Sequence, residues 1–386
     1  MTEISMSALP EPTLANWRQH PYNIRGFVEV GRLVANHAIK AGPVVRPLAD
    51  GTPLDLAAIR TGQQSAADLI AESNTDGFLV LKDGAIVAET YGPAMNAATP
   101  HIIFSVSKSV TGTLAGVLVE GGALDPDAPV TRYVPELSSS AYGDASVRQV
   151  LDMTVSLRFI EDYLDPRGDV ARYRVAMDWN PPADFPYEGG LHHFLGTLGR
   201  DHGPHGERFE YASPNSDLLG WILERAGGAP IADLLTRHLW QPLGAERDGY
   251  ITVDRHGAAR TAGGICVTMR DLARFGDMVR QRGSANGRQV IPEAWIDDIF
   301  DHGSEEAWAR GQMTGLLQRA RYRSQWYVPL DMPGTLIAIG IHGQWIYLDR
   351  TAGVTIVKLS SQPLPVDDPL DIRMLAMFRA IADVLR

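Results

Sequence analysis

The stretch from Gly77 to Gly92, GFLVLKDGAIVAETYG, holds two apolar runs joined at Asp83-Gly84. An Asp-Gly pair between such runs predicts a β-hairpin, because the tight turn needs positive φ and these residues tolerate it. So short a link cannot carry a crossover, so the spacing predicts an antiparallel sheet and not a βαβ unit. Strand patterns return only near the end, at Ser324 to Val328, Thr335 to Ile341, Gln344 to Leu348 and Val354 to Ser360. Between them the signals are helical: Ser146 to Met153, Ser216 to Ala226, Ile231 to Trp240, a cap at Thr268 with Asp271, and a helix from Pro292 through Phe300. Residues 369 to 385 close the chain as a helix with Leu370, Met374, Met377, Phe378 and Ile381 on one side. Near the start, Val28 to Ile39 is read as a short helix.

This order implies an α+β fold, an antiparallel sheet flanked by helices with a mostly helical domain inserted in it. The expected division is an N-terminal arm over 1–65, a sheet domain over 66–104 plus 285–386, and a helical domain over 105–284. Within the last, the proline-rich segment 154–210 reads as an irregular loop or lid. No chemistry is visible in the arm.

The run FSVSKSVTGTLAGVLVEGG, Phe104 to Gly122, predicts a buried helix with Ser105 at its start and Lys108 one turn on. A desolvated lysine loses its proton where an arginine does not, so Lys108 is a candidate base for a Ser105 nucleophile. Free amides at the helix start would serve an oxyanion. The competing reading makes Ser105 an N-cap and Lys108 a solvated first-turn residue. Lys108 is nevertheless one of only four lysines, with Lys40, Lys82 and Lys358.

Two further stretches carry candidate chemistry. FEYASPNSDLLGWILE sets Tyr211 before a helix, followed by Ser213 and Asn215. A tyrosine there can relay a proton if a cation lowers its pKa; otherwise it is a packed aromatic beside a helix cap. LIAIGIHGQWIYLD places Gly340 and Gly343 in a strand, either as a bulge with His342 half-buried or as an edge that offers an amide to an oxyanion.

Net charge of −11 and the lack of basic clusters argue against nucleic acid. The lone Cys266 excludes an intrachain disulfide and reads as a small core residue. No apolar run has signal-peptide or membrane-spanning length, so a cytoplasmic protein without membrane contact is expected. There is no G-x-S-x-G, H-E-x-x-H, P-loop or G-x-G-x-x-G, so no cofactor is expected. His192-His193 and His202/His205 read as surface histidines without a metal.

Taken in order, the motifs resemble the serine β-lactamase and penicillin-binding-protein-like hydrolases, and within them the nylon-oligomer hydrolases and class C-like esterases. The resemblance runs from about Asp76 to the C-terminus. It is carried by the Ser105/Lys108 pair, DAPVTRYVPEL, SVRQVLDMTVSL, the Tyr211 motif, TAGGICVTMRDLARFG and GIHGQWIYLD. It implies a β-lactamase/transpeptidase-like fold and an acyl-enzyme mechanism on a small amide or ester. Ser105 would be the nucleophile, Lys108 and Tyr211 would share its proton, and the amides of Ser105 and Ile341 would form the oxyanion hole.

By the same resemblance, Tyr163 in EDYLDP touches the substrate, Trp179 covers the cleft, and Ser213, Gly340 and His342 line it. A homodimer is a further implication. Ser213 stands where many relatives carry asparagine, and Ala338 where β-lactamases carry a lysine or histidine, so β-lactamase activity is expected to be poor. Arg174 and Ala262 replace an acid and a polar residue of the nylon-oligomer hydrolases, which counts against the aminohexanoate dimer as substrate. The alternatives are a D-amino-acid peptidase, a weak β-lactamase, or a sensor that is acylated but does not turn over.

Overall fold

Asp83 at φ 48° and Gly84 at φ 85° form the turn of the predicted hairpin. Its strands are Thr75–Lys82 and Ala85–Tyr91, with Lys82 opposite Ala85. The computed structural model describes residues 9–181, 189–201 and 203–386; His202 and the prolines at 182 and 186 lie outside the described residues.

Thr75–Lys82 pairs on its other side with the last strand of the chain, Val354–Ser360, with Lys358 opposite Phe78. From there the sheet runs outward through Gln344–Asp349, Thr335–Gly340, Trp326–Pro329 and Ala320–Arg323, seven strands in all. Every neighbouring pair is antiparallel. Alternation along a strand sends Leu79 and Leu81 to one face and Phe78 and Val80 to the other. The second face receives the closing helix Asp368–Leu385 through Met374, Met377, Phe378 and Ile381.

The first face receives the helix Val106–Glu120, which is buried at nearly every position of its first three turns. It lies so close to the turn before Trp326 that a Cβ on Gly112 would come 2.2 Å from the Ser324 carbonyl oxygen. Only glycine permits that approach. Helix Ser213–Gly227 packs on the same element from the other side.

A second sheet, unforeseen from sequence, positions the start of the Ser105 helix. It orders Asn36–Ile39, Gly249–Thr252, Ile265–Val267 and His101–Ile102, with Ile102 opposite Cys266. Two further bonds extend the tie: Ile103 N–H donates to the Ile265 carbonyl at 3.0 Å, and Ile265 N–H to Ser107 Oγ at 3.2 Å. Cys266 is buried within this sheet.

Other elements differ in detail. The expected Val28–Ile39 helix is instead a helix over Asn23–Leu33, followed by the strand Asn36–Ile39, because pairing with Gly249–Thr252 overrides local propensity. Ser324 and Gln325 both have positive φ and form a turn, with the missed strand Ala320–Arg323 before it. The stretch Ile231–Trp240 begins as an α-helix and widens to a π-turn at Thr236. Among its described residues the segment 154–210 contains two short helices, Asp169–Ala176 and Gly190–Gly196. His205 is no surface residue: its ring accepts from Ser156 N–H at 2.9 Å and meets Asp144 at 3.1 Å. Among the described residues no helix is long and apolar enough to cross a membrane.

Candidate active site

The residue before Ser105, Phe104, sits at φ 42°, a conformation unusual for a bulky side chain. Its ring is fixed edge-on against Phe27 at 4.8 Å and stacked on Trp17 at 6.2 Å. Packing therefore supports the sharp entry that turns Ser105 to the head of the helix. Ser105 makes no side-chain cap bond, so its hydroxyl is not spent as an N-cap.

Lys108 is 1% exposed. Its Nζ lies 2.9 Å from Ser105 Oγ, 3.0 Å from Ser213 Oγ and 2.8 Å from the Ala262 carbonyl oxygen. Burial foremost lowers its pKa to about 7, with Glu161 and Asp217 opposing and Arg260 assisting. The partners decide which way the neutral amine points. The Ala262 carbonyl can only accept, and Ser213 commits its own proton to Glu161 at 2.6 Å, so it too accepts from Lys108. Two N–H bonds are thereby used. The remaining lone pair faces Ser105 Oγ.

Tyr211 lines the same cavity as Ser105 and Tyr327, and Lys108 Nζ stands 5.0 Å from the centre of its ring. The expected lowering of its pKa does not occur. Burial, and then the charge of Glu161, raise it, so Tyr211 is a phenol at neutral pH. Gly340 ends its strand so close to the helix start that a Cβ there would lie 3.0 Å from the Ser105 nitrogen. Neither the Ser105 nor the Ile341 amide is taken by a turn or loop carbonyl among the described residues. Both residues line the cleft, where two unpaired amides are what an oxyanion would need.

The cleft has two arms meeting at Ser105. An open one of about 280 Å³ includes Tyr211, Tyr327, Gly340, Ile341, Asp368 and Asp371. A narrow one of about 20 Å³ includes Arg18, Arg174, Trp179, Arg260, Ser213 and Ile341. Tyr163 lines both, but its hydroxyl donates to Glu161 at 2.9 Å. Trp179 is buried in the wall of the narrow arm and donates to Thr252 Oγ1 at 3.2 Å. His342 is the one expected lining residue that does not line either arm. Its ring is buried against Phe27 and Phe104, Nδ1 lies 2.7 Å from the Gln362 carbonyl, and burial lowers its pKa to about 4. It is a neutral support behind the Ile341 strand end.

Four residues with a part in the site were missed from sequence. Glu161 accepts from Ser213 N–H at 2.8 Å as well as from its hydroxyl. Buried Asp217 pairs with Arg260 and accepts the Ala262 N–H at 2.7 Å, anchoring the residue whose own carbonyl accepts from Lys108. Arg18 reaches the cleft from the arm thought to be without chemistry. Glu161 and Asp217 had a signal, lying in the EDYLDP and FEYASPNSDLLGWILE stretches already singled out for Tyr163 and Tyr211.

A family profile described as beta-lactamase matches residues 66–378. The chain is 38% identical over 359 residues to the 6-aminohexanoate-dimer hydrolase of Paenarthrobacter ureafaciens, covering 93% of this chain and 90% of that one. It is 29% identical over 167 residues to Esterase EstB of Burkholderia gladioli, 42% of this chain and 41% of that one. Among solved structures, a Bacillus anthracis protein provisionally named as a 6-aminohexanoate-dimer hydrolase superposes with a TM-score of 0.88 at 24% identity, over 99% of this chain and 98% of its own. A family VIII carboxylesterase superposes with a TM-score of 0.61 at 16% identity, over 86% and 99%. At those identities the structural likeness speaks for the fold, while the sequence match over nearly the whole chain establishes that this protein belongs to the beta-lactamase family.

Proposed function

We propose that the protein is a serine hydrolase of small amides or esters that works through an acyl-enzyme on Ser105. The observation that carries the reading is the hydrogen-bond accounting at Lys108, whose lone pair has Ser105 Oγ–H as its one remaining partner. Ser105 Oγ bonds to the substrate carbonyl carbon as its proton passes to Lys108 Nζ. The oxyanion rests on the amides of Ser105 and Ile341. When the intermediate collapses, the leaving group takes a proton through the Tyr211 hydroxyl, which the nearby lysine ammonium replenishes. A water molecule then repeats the sequence on the ester of Ser105 and frees the acid.

The test is the intact mass of the protein quenched after seconds and after minutes with p-nitrophenyl butyrate, beside Ser105→Ala. An added butyryl group that appears in the wild type alone and then decays is the expected result. A persistent adduct would instead favour a non-hydrolysing sensor, and equal masses in both proteins would remove Ser105 as nucleophile. Comparing turnover of the butyrate ester, the linear aminohexanoate dimer and nitrocefin separates esterase, amidase and β-lactamase chemistry.

The pH dependence follows from Lys108. Because the base must be neutral and burial sets its pKa at about 7, kcat/KM is expected to fall by about tenfold per pH unit below that value and to level off above it. The raised pKa of Tyr211 adds no loss near neutrality. A rate that stays flat between about pH 5 and 8 would argue against Lys108 as base.

A further inference from the structure

The narrow arm of the cleft carries a charge imbalance. Three guanidinium groups line it, those of Arg18, Arg174 and Arg260. Arg260 is paired with Asp217. Arg18 donates to the Trp179 carbonyl at 2.9 Å and to the Asn180 side chain, both neutral acceptors. Arg174 donates to the Tyr163 carbonyl at 3.2 Å and lies over the Tyr163 ring at 5.9 Å. Among the described residues neither Arg18 nor Arg174 forms an ion pair. The carboxylate in the same arm is Glu161, which is occupied by Ser213 and Tyr163. Among the described residues, three positive charges thus face the negative charges of Asp217 and Glu161, and one positive charge is left over.

Burial, and then the charge of Arg174, depress the pKa of Arg18. A guanidinium does not lose its proton under these conditions, so the strain stays in the site until an anion enters. Planar guanidinium groups match a carboxylate with paired N–H donors.

The proton donor decides which half of the substrate enters this arm. Tyr211, which would protonate the leaving group, lines the open arm and not the narrow one. The leaving group therefore departs along the open arm, beside Asp368 and Asp371, and the acyl half points toward Arg18 and Arg174, whose side chains must shift to admit it because the arm of about 20 Å³ holds little more than one water. We propose that the narrow arm is a carboxylate subsite, and that the substrates are half-amides or half-esters of short dicarboxylic acids. This rests on the hydrolase reading above and names its substrate class.

The test is ethanol release from three esters of equal chain length: monoethyl adipate, ethyl hexanoate and ethyl 6-aminohexanoate, with monoethyl glutarate as a shorter anion. Wild type is expected to favour monoethyl adipate or glutarate over ethyl hexanoate by about tenfold or more in kcat/KM, and to disfavour the ammonium ester. Arg174→Glu is expected to shift the ratio of anionic to cationic ester by about a hundredfold toward the cation, and Arg18→Gln to lower the anion's advantage. A wild type that favours the neutral or ammonium ester, or a ratio unmoved by Arg174→Glu, overturns the subsite. Calorimetry on Ser105→Ala with adipic acid monoamide and hexanamide gives a readout independent of turnover. Tighter binding of the monoamide supports the subsite even if the acyl-enzyme reading fails, and equal or absent binding overturns it even if Ser105 is acylated by p-nitrophenyl butyrate.

Discussion

Lys108→Arg is expected to be nearly as inactive as Ser105→Ala, each losing about 10⁴-fold or more in kcat against a short ester. The two residues form one device: among the described residues no other base bonds to the hydroxyl, and the amine has one lone pair, which faces that hydroxyl. Residues that act as a unit lose their effect together, so the double variant should be little worse than either single one. Arginine would keep positive charge in the pocket and donors for Ser213 and Ala262, yet could not accept the proton. Steady-state rates, with circular dichroism to verify folding, decide the matter. A loss in Lys108→Arg smaller than about tenfold would mean that another group takes the serine proton.

That pair was legible in the sequence because helix geometry is local. Three residues along one helix fix a contact whatever the remainder of the fold does. The Asp83-Gly84 hairpin and the closing helix over Asp368–Leu385 were legible for the same reason, each being written in a short period of residues. The return of strands after Ser324 gave the larger sheet its two chain ends. What escaped depends on long-range pairing. Asn36–Ile39 is a strand because Gly249–Thr252 is its neighbour, and nothing within residues 28–39 says so. Arg18 enters the cleft through contacts with Trp179 and Asn180, far along the chain, so the N-terminal segment read as inert. Tyr211 was expected to feel the lysine, but its pKa is set first by burial, and depth is a property of the finished fold.

Asp217 is expected to be the residue whose loss costs most stability outside the large apolar core. It is fully buried and bonded to Arg260, to the Tyr173 hydroxyl and to the Ala262 N–H. Arg260 in turn lies between the Tyr173 ring at 4.5 Å and the Trp179 ring at 5.3 Å, and its Nε has no partner. Asp217→Asn keeps the size and offers an acceptor to Ala262, but sets an amide without charge against a buried guanidinium. Breaking one side of such a pair costs about 3–5 kcal/mol, much of it the penalty for the charge left behind. Replacing both partners, Asp217→Leu with Arg260→Met, removes that charge and is expected to recover part of the loss, though the Ala262 amide stays unpaired. Urea denaturation of the three variants measures this. A cost under about 1 kcal/mol for Asp217→Asn would mean that water or the aromatic rings already satisfy Arg260. The same variant carries a second signature, because Asp217 anchors Ala262, whose carbonyl orients Lys108, and its charge acts on the amine. Removing a nearby negative charge makes the lysine easier to deprotonate, so the rising limb of the rate should move to lower pH even as the maximal rate falls. A purely structural role for Asp217 would lower the rate and leave that limb in place.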